Sequence, residues 1–99
     1  MTVKPIEPRT LMDLGIGQCS RIAKIRADLV AERRKDVDAL DLEGRLLEMG
    51  FVEGEEVELL HVGPVGRDPL AVRVGRMVVA LRRHEARAVV LSGEPEQGS

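Results

Sequence analysis

The chain has 99 residues, of which 43% are hydrophobic, and its formal net charge at pH 7 is −2. This length predicts a single domain, and the near-neutral charge gives no overall attraction to nucleic acid or to acidic membranes. Phe51 is the only aromatic residue, so nucleic-acid bases have no set of rings on which to stack.

The cysteine count and the distribution of apolar residues indicate in which cellular compartment the protein is expected. Cys19 is the only cysteine, which excludes a disulfide framework and a paired-cysteine metal motif. The first residues lack the apolar run of a signal peptide. No segment approaches the roughly 18–20 apolar residues needed to cross a bilayer. We therefore expect a cytoplasmic protein without direct membrane insertion.

The N-terminal quarter combines an irregular start with a first strand. Residues 1–9 contain two prolines and alternating charges, which predicts an irregular lead-in. Thr10 precedes a short apolar turn and is a suitable N-cap for one turn of helix. Residues 19–26 carry Ile22 and Ile25 in an imperfect alternation, and this pattern predicts a strand.

Residues 27–41 form a charged segment with only a broken helical stripe of apolar residues. We interpret it as an insertion that is partly helical or mobile. Two roles remain open from the residues alone, a flap that contacts a partner or a surface insertion that the fold tolerates.

The next segment, residues 42–49, predicts an amphipathic helix. Asp41 is a suitable cap, and Gly50 is placed to adopt a left-handed conformation after the last turn, with Phe51 supplying the apolar contact of a Schellman ending. The apolar positions recur at i, i+4 and i+7 and are Leu42, Leu46 and Met49.

The C-terminal half predicts short strands between tight turns. Residues 63–69 are rich in glycine and proline and predict a loop, Gly75 and Arg76 fit a type II′ hairpin, and residues 82–86 fit one helical turn. The polar residues 93–99 predict a disordered tail. The predicted strands are 55–62, 70–74, 77–81 and 88–91. Together these elements predict a mainly β fold, a small β-barrel with one packed α-helix and short helical turns.

Candidate metal ligands and catalytic groups are few and scattered. Cys19, His61 and His84 lack the spacing of a transition-metal site, and His61 is expected to face the interior beside the apolar residues of its strand. No base lies near Cys19 in sequence, and the glycine-containing segments lack the residues of a phosphate loop. We expect no catalytic residue, no metal site and no cofactor, and hence a protein that is not an enzyme.

Binding to another protein is the remaining function class. The residues predicted to anchor a partner lie around the helix end and the following loop, and are Leu47, Phe51, Val52, Val65 and Leu70. Exposed side chains at these positions would be binding anchors, whereas buried ones would belong to the core. Charge is also uneven, acidic near residues 53–58 and basic from residue 67 onward, which suits a protein partner or weak self-association.

The order of these elements resembles the FeoA family, ferrous iron transport protein A. The resemblance covers nearly the whole chain apart from residues 27–41 and both tails. Its motifs are Thr10-Leu11, Gly17-Gln18, Arg21-Ile22, the run RLLEMGF at residues 45–51, Pro64-Val65-Gly66, Asp68-Pro69-Leu70 and Ala80-Leu81-Arg82.

The resemblance implies an SH3-like barrel over residues 10–92 and an accessory role in bacterial ferrous iron uptake. The implied partner is FeoB, a membrane transporter with a cytoplasmic GTP-binding domain, and the contact is expected on either that cytoplasmic part or the membrane part. An alternative that the resemblance also supports is a metal-responsive domain related to the C-terminal domain of iron-dependent repressors. The longer 27–41 segment departs from the family pattern. A partner surface that other family members have there is therefore not assigned to this chain.

Overall fold

The computed structural model describes residues 9–97, with side chains described for residues 9–92. The predicted lead-in therefore lies outside the described residues apart from Arg9. Residues 98 and 99 of the predicted tail also lie outside them.

One antiparallel sheet of five strands organises the described residues, in the order β4-β3-β2-β1-β5. The strands are β1 Gln18–Ile25, β2 Glu56–Val65, β3 Asp68–Val74, β4 Met77–Leu81 and β5 Val89–Gln97. The predicted mainly β class is confirmed, and the bounds of β4 agree with the prediction.

Four short helical elements accompany the sheet in residues 9–97. They are a 3₁₀ helix Leu11–Asp13, and the α-helices α1 Ala27–Arg33, α2 Ala39–Glu48 and α3 Arg83–Ala86. Thr10 caps the 3₁₀ helix as predicted, because its hydroxyl accepts the Met12 N–H at 3.2 Å while its own N–H donates to Asp13 at 2.7 Å. The charged 27–41 segment contains α1, and this helix packs on the core through Ala27 and Val30.

Helix α2 begins three residues before its predicted start because Asp38, rather than Asp41, is the cap. The Asp38 carboxylate accepts the Asp41 N–H at 3.0 Å. The predicted ending is confirmed: Gly50 has φ of 102°, its N–H donates to the Leu47 carbonyl, and the Phe51 N–H donates to the Leu46 carbonyl, both at 3.0 Å. These two bonds define a Schellman motif.

The core lies between the inner face of the sheet and the helices. Alternate residues of β2 and β3 point inward, and α2 contributes Leu42 and Leu46. Each large apolar side chain removed from water stabilises the fold by about 1.5–3 kcal/mol. The largest fully buried side chains are Phe51, Leu11, Leu14, Ile22, Leu46, Leu59, Leu70, Leu81, Val57, Val72 and Val89.

The predicted loop at residues 63–69 is wrong, since β2 and β3 continue through it to a two-residue hairpin. Gly66 and Arg67 form the turn with φ of 62° and 60°, the pair of positive values that defines type I′. Gly63 lies so close to the opposite strand that a Cβ would overlap the Asp68 backbone carbonyl. Glycine at this position is what permits the strands to approach.

Two further predictions require correction. His61 is exposed rather than inward-facing, because a register shift between Leu59 and His61 interrupts the alternation of β2. Residues 93–97 are not a disordered tail, because their backbone continues β5 and pairs with β1, with Gln97 opposite Gln18.

The first described residues lie beside the first half of β5. The Leu91 N–H donates to the Arg9 carbonyl at 2.8 Å, and Thr10 forms an isolated antiparallel bridge with Val90. The start of the 3₁₀ helix is therefore held against β5.

Candidate protein-binding surface

Two of the five predicted anchor residues are core residues. Phe51 and Leu70 both have no exposed side-chain surface, at 0%. Phe51 follows the left-handed Gly50 and turns inward, and Leu70 lies on the inner face of β3, opposite Leu81 of β4. Neither residue can contact a partner, so both are removed from the predicted surface.

The three remaining predicted residues are exposed, but the structure does not bring them together. Leu47 and Val52 are 47% and 43% exposed and flank Gly50, whose Cβ position would lie 3.9 Å from Val74 at one end of β3. Val65, 80% exposed, pairs with Asp68 at the other end of the same strand. At about 3.3 Å per residue, the two ends of β3 are separated by about 20 Å.

Met77 adds to the exposed apolar surface at the first of these ends. It is 59% exposed and lies directly opposite Val74. We call this region, defined by Leu47, Val52 and Met77, the α2 end. Sequence analysis missed Met77, although the run Met77-Val78-Val79 directly after a tight turn indicates that the alternation must expose at least one of these residues.

The opposite end of β3 combines exposed apolar side chains with polar anchors. We call this region, defined by Ile16 and Val65, the hairpin end; Ile16 is 59% exposed. Arg67 donates from Nη2 to the Leu14 carbonyl at 2.8 Å, and Arg83 donates from Nη1 to the Gly66 carbonyl at 3.1 Å. These two arginines attach the hairpin to the 3₁₀ helix and to α3.

The outer face of the sheet carries an ion-pair cluster in place of a reactive site. Arg73 contacts Glu58 at 2.7 Å and Glu56 at 3.5 Å, and its hydrogen bond with Glu58 raises the pKa of the guanidinium. Cys19 pairs with Glu58 across β1 and β2. Burial, followed by the charges of Glu58 and Glu56, raises the pKa of the Cys19 thiol. A thiol held protonated is a poor nucleophile and a poor metal ligand.

A buried carboxylate joins α3 to α2. The side chain of Glu85 is 4% exposed, accepts the Arg82 N–H at 2.8 Å, and pairs with Arg45 at 2.9 Å. The Arg45 side chain remains 64% exposed, so this contact positions the helices rather than forming a buried catalytic pair.

An open groove of about 470 Å³ lies between the 3₁₀ helix, α1 and α3. Its wall has both signs of charge, and Arg34 is already engaged, with Asp36 at 2.9 Å and with Nδ1 of His84 at 3.1 Å. Among the described residues, no group of three His, Cys, Asp or Glu side chains could hold a metal ion. Cys19, His61 and His84 lie on three different elements.

The architecture defines the class of protein, a small antiparallel β domain with short accessory helices and apolar surface at both ends of a central hairpin strand. The chain belongs to the FeoA family: the family model for the FeoA domain matches residues 9–92. It is thus a small domain of a family associated with ferrous iron transport. None of the helices described is long and apolar enough to span a membrane.

Two solved structures show how closely the chain follows other family members. FeoA from Stenotrophomonas maltophilia, a prokaryotic SH3 domain protein complexed with zinc, shares 35% identity at a TM-score of 0.72, over 92% of this chain and 99% of that one. Iron(II) transport protein A from Clostridium thermocellum shares 30% identity at a TM-score of 0.65, over 90% of this chain and 45% of that one. The expected SH3-like fold is confirmed.

A more distant likeness concerns the fold alone. A manganese-dependent transcriptional repressor shares 19% identity at a TM-score of 0.63, over 87% of this chain and 44% of that chain. A search of curated proteins finds no match.

Proposed function

We propose that this protein is a non-catalytic accessory of ferrous iron uptake that binds the cytoplasmic part of a FeoB-type transporter. Membership of the FeoA family supports a role in ferrous iron uptake. The S. maltophilia relative is itself described in terms of ferrous iron transport activation. Binding, rather than catalysis, is the activity that a small barrel with exposed apolar patches supports best.

The observation that carries this proposal is the composition of the α2 end. It presents three partly exposed apolar side chains, Leu47, Val52 and Met77, while Phe51, the residue before Val52, is fully buried. Methionine is enriched in protein interfaces, and its flexible side chain adapts to the shape of a partner. The hairpin end offers the smaller pair Ile16 and Val65, so we place the contact at the α2 end.

A pull-down of the cognate FeoB cytoplasmic domain, with and without GTP, tests the proposal. We expect the wild type to bind, the double variant Leu47→Asp/Met77→Asp to lose binding, and the matched hairpin-end variant Val65→Glu to retain it. All three substitutions fall on exposed positions, so the thermal midpoints should stay close to that of the wild type. If only Val65→Glu loses binding, the contact lies at the hairpin end instead. If the wild type does not bind, the proposed function is overturned.

The alternative of a metal-responsive domain is supported by one specific observation, the zinc bound in the S. maltophilia relative. It requires ligands to converge, and in this chain His61 and Cys19 lie on adjacent strands while His84 lies on α3. Anaerobic calorimetry with Fe(II) and with Zn(II) tests whether the protein binds a metal ion directly. Saturable heat that His61→Ala or His84→Ala removes would favour metal sensing, and an absence of saturable heat would rule it out.

A further inference from the structure

The strand β4 forms one edge of the sheet. Its hairpin with β3 has the two-residue turn Gly75-Arg76, so Val74 and Met77 form a hydrogen-bonded pair. Alternation along an antiparallel ladder then directs the backbone groups of Val79 and Leu81 toward β3. The N–H and C=O groups of Val78 and Ala80 point away from the sheet.

No described element occupies this outer edge. Among the backbone hydrogen bonds between described elements, none involves Val78 or Ala80. The edge ends sharply at Arg82, because its N–H donates to Glu85 at 2.8 Å and its carbonyl accepts from Ala86 at 3.0 Å. The open edge is therefore two residues long and presents four backbone groups.

The side chains along this edge are apolar in the middle and basic at both ends. Val78 is 63% exposed, and Ala80 is also exposed. Arg76 and Arg82 flank them, both exposed, and neither forms an ion pair within the described part of the chain. An exposed edge of this kind is a template for strand addition.

Charge decides between two possible occupants of the edge. A second copy of this chain, paired antiparallel about Val79, would place each Arg76 directly opposite the Arg82 of the other copy. Like charges opposite one another across a strand pair are destabilising, whereas opposite charges contribute about 0.2–1 kcal/mol per pair. A segment with acidic residues at both ends satisfies both arginines.

We propose that the β4 edge binds an extended segment of another protein, apolar in its middle and acidic at both ends, as an added strand. Backbone pairing with Val78 and Ala80 supplies the geometry, and Arg76 and Arg82 supply the selectivity. This inference goes beyond the transporter proposal, because it concerns backbone pairing and stands whichever protein contributes the strand.

The test uses the full chain and a capped nine-residue peptide with alternating valine and threonine between two glutamates at each end. We expect the amides of Val78 and Ala80 to gain protection from hydrogen exchange at saturating peptide, measured by NMR. A matched peptide with lysines in place of the glutamates should bind at least about fivefold more weakly. Equal binding of the two peptides, or protection elsewhere without protection at these two amides, would overturn the proposal.

A substitution at the edge separates backbone pairing from side-chain contact. Val78→Pro removes an N–H that faces away from β3, a position where edge strands tolerate proline, and should abolish peptide binding. Val78→Thr keeps the N–H and should bind like the wild type. If Val78→Pro lowers the thermal midpoint strongly, a peptide N-methylated on its β4-facing amides replaces it, and undiminished binding of that peptide contradicts strand addition. A wild-type dimer in sedimentation that Val78→Pro dissociates would assign the edge to a second copy and likewise overturn the proposal.

Discussion

The two ends of β3 carry turns of the same length that are held in different ways. At the hairpin end, Arg67 reaches the Leu14 carbonyl and Arg83 reaches the Gly66 carbonyl, so the turn is bonded to two other elements. At the α2 end, the turn at Gly75 is bonded, within the described part of the chain, only to strand residues: the Gly75 carbonyl accepts from Arg73 and the Gly75 N–H donates to the Glu56 carbonyl, both at 3.0 Å.

This difference separates a turn that holds the domain together from one that leaves surface free. The polar contacts of the hairpin end connect the sheet to the 3₁₀ helix and α3. The α2 end leaves Met77 and Val78 exposed beside a well-packed core. Substitutions at the two ends of β3 test whether the energy of folding and the capacity for binding are distributed in this way.

The largest effect is expected at the α2 end, below its surface. Phe51→Ala removes a fully buried ring and should lower the free energy of unfolding by about 3–5 kcal/mol. Leu47→Ala, at an exposed position of the same end, should change it by at most about 0.5 kcal/mol. Urea denaturation measures the free energy of unfolding of both variants. Similar losses would show that the exposed and the buried residues of this end contribute equally to folding.

An intermediate effect is expected at Gly63 in the hairpin. Gly63→Ala should destabilise the protein by about 1–3 kcal/mol, because the new methyl group overlaps the Asp68 carbonyl and the strands must separate. The control, Gly44→Ala within α2, has no neighbour within 4 Å of its new Cβ and should stabilise by about 0.5–1 kcal/mol. Thermal unfolding reports both, and a stable Gly63→Ala variant would contradict the close approach.

The smallest effect compares the two turns directly. Arg67→Ala loses the bond to Leu14 and should cost about 1 kcal/mol, while the backbone retains its positive φ. Arg76→Ala, in the other turn, should stay within about 0.5 kcal/mol of the wild type. Chemical denaturation measures the free energy of unfolding of both variants. Equal changes would show that the two turns do not differ in how firmly they are held.

Several elements were predictable because single residues determine them. Gly50 requires a left-handed conformation that ends α2, and Thr10 offers the first free N–H groups an acceptor. The turn at Gly75 likewise follows from one glycine. In each case the signal is local, so it can be recognised without the rest of the chain.

The features that sequence analysis missed depend on contacts between distant segments. Proline at positions 64 and 69 indicated a loop, yet both prolines lie within strands, and the turn uses an arginine with positive φ where asparagine or glycine is usual. The exposure of His61 follows from a register shift with β3. The burial of Leu70 depends on its cross-strand partner Leu81.

The bond between the Leu91 N–H and the Arg9 carbonyl has a consequence for how this domain can be combined with others. Residues paired across an antiparallel bridge are only about 5 Å apart, so the chain enters the domain beside Leu91. Strand β5 then runs on to Gln97, about 20 Å further at about 3.3 Å per residue. A host protein that accepted the domain within a surface loop would have to span this distance. By the same geometry, a circularly permuted chain opened at an exposed turn would need a linker long enough to bridge it.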